Sequence, residues 1–208
     1  MATFVQVGFT TRSHRYILSV AADLSRPDYK AVELGPASTA VEETRGAPRA
    51  GARWRRQSVL TTPARWLLLD LGCGWGPIAF TLAAESPHGT VWAVDDNERA
   101  LDLVRRNASV MGLTNVNAVL PGDLPADVAF MTIWSNPPIR VGKDELHAML
   151  RMWLPRLSQG ADAWLVVQKN LGSDSLHRWL EASFSPDDFS FSRAATKKGY
   201  RVLRCRRR

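Results

Sequence analysis

The sequence predicts an α/β protein, a doubly wound and mostly parallel sheet that ends in an antiparallel hairpin. Three observations carry the prediction. From residue 65 onward, five short apolar runs are interspersed with four stretches of helical periodicity. The first of these runs ends in Asp70 and breaks into glycines at alternate positions, Gly72, Gly74 and Gly76, which reads as a buried strand turning sharply into a helix. The chain closes with two strand-like runs, Phe189 to Ala194 and Tyr200 to Cys205, joined around Lys197, Lys198 and Gly199.

In chain order, Trp66 to Leu71 is the first strand of the sheet, and Pro77 falls in the first helical turn, where proline is tolerated. Ile78, Ala79, Leu82 and Ala83 mark the buried stripe of a helix that ends near Glu85, ahead of Pro87 and Gly89. Thr90 to Val94 is the second strand. Asn97 caps the next helix, whose Leu101, Val104, Ala108 and Met111 fall at helical spacing and which Gly112 closes. Val116 to Leu120 is the third strand, followed by Pro121, Gly122 and Asp123. Val128 to Trp134 is nearly continuous apolar sequence, as expected of a parallel strand covered on both faces. Leu146, Met149, Leu150, Trp153, Leu154 and Leu157 share a helical face, with Pro155 loosening the last turn. Ala163 to Val167 is a fifth strand, and Leu176, Trp179, Leu180 and Phe184 mark a further helix. Parallel neighbours joined in this way take right-handed crossovers.

Residues 1–64 read differently, as a basic and poorly ordered region ahead of a domain spanning 65–208. The window from Pro36 to Pro63 is rich in Ala, Arg, Thr, Pro and Gly without periodicity, and only Tyr16 to Leu24 looks capable of a short helix or strand. Of the net charge of +7, residues 1–68 carry +5, from 10 Lys or Arg against 5 Asp or Glu. Arg45, Arg49, Arg53, Arg55 and Arg56 form one basic cluster, and Arg201, Arg204, Arg206, Arg207 and Arg208 another. Such clusters suit a phosphate backbone, or simply a solvated face. Two cysteines, Cys73 and Cys205, make no disulfide framework, and the expected compartment is reducing. No run of about 18 apolar residues exists to span a membrane. Met1 to Val20 contains Arg12, His14 and Arg15 rather than a continuous apolar signal segment. A cytoplasmic protein is therefore expected.

Dinucleotide-binding turns need glycines at positions one, three and six. Counted from Gly72, the third glycine here is Gly76, at position five, which argues against NAD. Asp95 closes the second strand, 19 residues past Gly76, where an acid can accept hydrogen bonds from ribose hydroxyls; Asp96 competes for that role, and either could cap the following helix. Asp123, after the third strand, is a candidate for an adenine amino group with Leu124 against the ring, or an ordinary turn aspartate. After the fourth strand come Asn136, Pro137, Pro138 and Ile139. Two successive prolines cannot continue a central strand and fix a stiff backbone at its exit.

Residues 66–205 resemble the methyltransferase small domain family, whose members include the 16S ribosomal RNA guanine-N2 methyltransferases. The stretches LLLDLGCGWGPIAFTLA, VWAVDDNERALDLVRRNA, SNPPIRVGK and KKGYRVLRCRRR carry the resemblance. It implies a Rossmann-like class I fold, S-adenosyl-L-methionine (SAM) as cofactor, and a guanine amino group of rRNA or the small ribosomal subunit as target. It places Asp70, Gly72, Cys73, Gly74 and Gly76 at the methionine and ribose end of SAM, Asp95 or Asp96 at the ribose, and Asp123 and Leu124 at the adenine. Asn136, Pro137, Pro138 and Ile139 fall at the substrate amine. The lone pair of such an amine is delocalised until its hydrogens are held; the Asn136 side-chain oxygen and the Pro137 carbonyl can each accept one.

Other readings stay open: an adenine N6 amine, a protein glutamine amide, or a SAM- and RNA-binding module without turnover. Many sequences with this triplet follow it with an aromatic residue where Ile139 stands here. The hairpin and Phe- and Asp/Gly-containing segment that relatives place ahead of the glycine turn is not found between Thr39 and Ala64. His14, His88, His147 and His177 lack metal-ligand spacing with either cysteine, so no metal is expected. Cys73 is a packing residue rather than a nucleophile, and Arg140 and Lys143 are phosphate contacts or surface charges.

Overall fold

Seven strands lie in the order β5, β4, β3, β6, β7, β9, β8 across one mixed sheet. They are β3 (Leu67–Leu71), β4 (Thr90–Val94), β5 (Val116–Val119), β6 (Phe130–Ser135), β7 (Leu157–Gln168), β8 (Phe189–Lys197) and β9 (Tyr200–Arg207). The first five are parallel; β9 runs antiparallel to both β7 and β8. The computed structural model describes residues 4–10, 15–21, 66–137, 142–197 and 199–208, the first two segments by backbone alone. Those two, β1 (Phe4–Thr10) and β2 (Arg15–Ala21), pair antiparallel with Phe4 opposite Ala21. The expected strand or helix at Tyr16 to Leu24 is therefore strand through Ala21, and its partner β1 was not anticipated. The window from Pro36 to Pro63, the Arg45 to Arg56 cluster and the expected boundary after residue 64 lie outside the described residues.

Among the described residues, four helices connect the strands: α1 (Pro77–Glu85), α2 (Glu98–Val110), α3 (Lys143–Trp153) and α4 (Ser173–Ser183). Alternation along the strands sends side chains to two cores, one on each face of the sheet. Leu68, Val91, Ala93, Trp134, Trp164 and Val166 pack with α1 and α2. Leu69, Leu71, Ile133, Ala163, Leu165 and Val167 pack with α3 and α4. β7 contributes to both, which is why its central stretch is apolar without interruption.

Several boundaries move for physical reasons. β6 starts at Phe130 rather than Val128, and Met131 is 52% exposed although Phe130 before it is fully buried. Met111 lies past the last turn of α2, 45% exposed, instead of on its buried stripe. Pro155 lacks the N–H to continue α3. The chain tightens there into a 3-10 turn over Leu154–Arg156, and Leu157 becomes the first residue of β7 rather than part of the helical face.

The carboxyl-terminal arginines are used internally. Arg204 makes a bidentate pair with Asp162 at 2.9 and 3.0 Å, and Arg206 reaches the same carboxylate at 3.0 Å. Arg201 pairs with Asp174, and Arg207 donates to the carbonyl of Pro155. These arginines of β9 thereby fasten the antiparallel edge to β7 and α4.

Candidate functional site

The chain runs outward from β3 to β4 and β5, then returns to place β6 on the other side of β3. Such a reversal leaves a crevice at the carboxyl ends of the two strands, where open α/β sheets bind ligands. The residues on its two sides are Gly72 to Gly76, after β3, and Asn136 with Pro137, after β6. Ser135 pairs with Leu71 across the two strands and its hydroxyl donates to the Leu71 carbonyl at 2.7 Å, fully buried. That bond ties the exit of β6 to the start of the glycine turn. Ser135 was not singled out from the sequence; its only signal was a hydroxyl ending an apolar run.

The glycine turn is built from main-chain bonds. The N–H groups of Gly72 and Cys73 both donate to the Val94 carbonyl, at 2.8 and 3.0 Å. Gly74 has φ 53° and open space where a side chain would be, so its backbone is accessible from the crevice. Gly76 has φ 97°, and a Cβ there would lie 2.6 Å from the Phe80 ring. Gly76 offers no side-chain cap to α1. Asp70 substitutes: its Oδ2 accepts the Ala79 N–H at 2.8 Å, and its Oδ1 is buried without a partner among the described residues. Desolvation, with a smaller contribution from the nearby Asp95 carboxylate, pushes the Asp70 carboxyl up from 3.8 to about 8 against the opposing Ala79 bond. Burial, then Asp70 and Asp95, raise the Cys73 thiol far above its ordinary value, which keeps it protonated and unreactive.

Asp95 is half-buried at the end of β4. Its Oδ2 accepts from the Gly74 N–H at 2.9 Å and its Oδ1 from the Asn97 N–H at 2.9 Å, so one carboxylate joins the turn to the start of α2. Asp96 is exposed, and helix capping falls to Asn97, whose Oδ1 accepts from Arg99 at 3.0 Å. Asp123 is exposed in a 3-10 turn over Pro121–Asp123, and Leu124 is 5% exposed in the core beneath α3 and α4. Asn136 is half-buried and Pro137 buried. Pro138, Ile139 and Arg140 lie outside the described residues. Among the described residues no group of His, Cys, Asp and Glu could hold a metal ion.

Comparison with known proteins places this arrangement. The sheet order and glycine turn are those of class I SAM-dependent methyltransferases, and solved structures share the fold. An rRNA methylase from Streptococcus thermophilus superposes with a TM-score of 0.53 at 18% identity, over 69% of this chain and 87% of that one. SMU.1697c of Streptococcus mutans, solved in complex with S-adenosylhomocysteine (SAH), superposes with a TM-score of 0.54 at 14% identity, over 69% and 89%. The model of the methyltransferase small domain matches residues 57–204, and the chain belongs to that family. YbxB, an uncharacterised protein of Bacillus subtilis, is 37% identical over 144 residues, 67% of this chain and 69% of YbxB. The release factor glutamine methyltransferase of Rhodopirellula baltica is 34% identical over 119 residues, 53% of this chain and 40% of the relative; the chain spans less than half of that enzyme.

SAM is the cofactor of this class, and the residues present fit it. A cationic, hydroxyl-bearing ligand needs a buried acceptor, accessible main chain and a carboxylate at a strand end. The unpartnered Asp70 Oδ1, the open face of Gly74 and the half-buried Asp95 supply those three features. No helix among the described residues is long and apolar enough to cross a membrane.

Proposed function

We propose that the protein transfers a methyl group to an exocyclic amine, the N2 of a guanine in 16S rRNA. The observation that carries this reading is the position of Asn136 and Pro137, on the strand adjacent to the glycine turn and held there by the Ser135 to Leu71 bond. When bound, SAM supplies an electrophilic methyl on a sulfonium. Gly72, Gly74 and Gly76 would line its methionine and ribose end, Asp95 would accept from the ribose, and the exposed Asp123 would reach the adenine amino group, while Leu124 is buried in the core beneath α3 and α4. The Asn136 side-chain oxygen and the Pro137 carbonyl each accept one N–H of the target amine. Its lone pair then points at the methyl, and alignment in a water-poor crevice does most of the catalytic work without a strong base. Asn136 makes no side-chain hydrogen bond to the described residues that would compete for this role. The family resemblance and the basic chain favour RNA.

A second reading, methylation of a protein glutamine amide, is favoured by the relatives that are release factor glutamine methyltransferases. A primary amide presents the same planar NH2 to the same two acceptors. Labelled SAM offered with rRNA from cells lacking the protein, and separately with a release factor, distinguishes the two. The expected product is labelled N2-methylguanosine; label in the release factor alone transfers the assignment to glutamine. Asn136→Ala is expected to lower transfer by about 10²–10³-fold with SAM affinity retained, and undiminished transfer would overturn the mechanism.

A further inference from the structure

Four of the five arginines of the carboxyl-terminal cluster, Arg201, Arg204, Arg206 and Arg207, are engaged with acids and carbonyls of their own chain, which leaves open where a phosphate backbone would be met. The topology brings a different pair of cations to the site. Lys169 follows directly on Gln168, the last residue of β7, and Lys197 ends β8. Lys197 pairs with Tyr200 and Tyr200 with Gln168, so both lysines lie at the edge of the sheet where β3 and β6 deliver Gly72 and Asn136. The Lys169 N–H donates to the Gly199 carbonyl at 2.7 Å, and Gln168 Nε2 donates to the Tyr200 hydroxyl at 2.9 Å, which locks the β8 to β9 turn against the end of β7. Ala195 packs against the core on the α1 face of the sheet, and Lys197, two residues on, shares that face with Asp70 and its bond to α1.

Both lysines are exposed, and neither forms an ion pair among the described residues. Lys143, at the start of α3, is followed by Asp144 and Glu145, which offset its charge. Near the lysine pair, Asp174 is held by Arg193 and Arg201 together and leaves that cluster positive as well. From β6 across β7 and β9 to β8 is three strand spacings, about 15 Å.

We infer that Lys169 and Lys197 form a phosphate-binding rim on the substrate side of the crevice, gripping the RNA backbone beside the nucleotide whose base enters it. The inference rests on the rRNA reading above. Phosphate contacts fix register and orientation, and their loss acts on substrate binding rather than on the chemical step.

The test compares wild type, Lys169→Glu with Lys197→Glu, and Arg106→Glu, the last an exposed α2 cation given the same charge reversal. Methylation of rRNA is measured as KM and kcat over a salt series, with SAM binding as the check on folding. The double variant is expected to raise KM for rRNA about tenfold and to flatten the slope of log affinity against log salt by about 1.4, two single-strand contacts at roughly 0.7 each. Its kcat and SAM affinity stay within twofold of wild type, and Arg106→Glu changes neither slope nor KM. If wild type methylates rRNA and the double variant matches it in KM and slope, the rim is overturned while the substrate reading stands. If wild type methylates only a release factor, the substrate reading falls and the rim falls with it.

Discussion

Asp70 is a carboxyl taken fully out of water. Fully buried, with one oxygen capping α1 and the other without a partner among the described residues, it holds its proton to about pH 8, against 3.8 for the free side chain. The sign of the consequence follows from linkage. The folded protein without ligand binds this proton more tightly than the unfolded chain does, so Asp70 costs stability as pH rises from about 4 towards 8. A cationic ligand favours the ionised carboxyl, so SAM binding near pH 7 is expected to release a proton, read by calorimetry in buffers of different ionisation heat. Asp70→Asn retains an acceptor for Ala79 but no titration: SAM affinity falls and proton release disappears. Unchanged release would place the titrating group elsewhere. Asp95 acts differently, through bonds to Gly74 and Asn97. Asp95→Ala is expected to raise the SAM Kd about tenfold to a hundredfold, from the loss of charge-assisted bonds of roughly 1.5–3 kcal/mol, and isothermal titration would show it.

At the level of elements, the start of α1 and the last strand show how local sequence and long-range contact divide the work. Gly76 and Gly112 both have positive φ, but only Gly76 faces a ring where a Cβ would go. Gly76→Ala is expected to cost about 1–3 kcal/mol from strain and the displaced Phe80. Gly112→Ala, strained by backbone conformation alone, should cost less, and urea midpoints rank the two. Asp162 holds Arg204 and Arg206 from the neighbouring strand. Asp162→Ala leaves two guanidinium groups without their partner and is expected to lower stability by about 1–3 kcal/mol, with SAM binding intact because Asp162 sits mid-strand opposite Thr132, while the site lies beyond Ser135 at the end of β6. The helices were legible because Pro77, Asn97 and Gly112 punctuate apolar stripes at helical spacing. β1 was not, because its pattern of Phe4, Gln6 and Gly8 against Val5, Val7 and Phe9 has little contrast and its identity as strand depends on pairing with β2.

For the molecule as a whole, the site belongs to the sheet's reversal point, and ligand binding couples to global stability. SAM at one hundred times its Kd is expected to stabilise the fold by about 2.7 kcal/mol, seen as a rise in Tm that Asn136→Ala retains and Asp95→Ala cuts by about half or more. By itself the sequence determined the alternation of strand and helix, the glycine turn, the acids at the ends of β3 and β4, and the Asn136–Pro137 exit from β6. Each is a local signal, carried by neighbouring residues and their allowed backbone conformations. Only the tertiary structure decided what is non-local. It decided that β6 lies beside β3 with Ser135 bonded to Leu71, that Asp70 caps a helix nine residues away, and that the carboxyl-terminal arginines close on Asp162 and Asp174. It also decided that Lys169 and Lys197, 28 residues apart in the chain, meet at one rim. The physical reason is that a charge pattern fixes only how many cations are present; which are consumed by neighbours and which face a ligand depends on strand order and register.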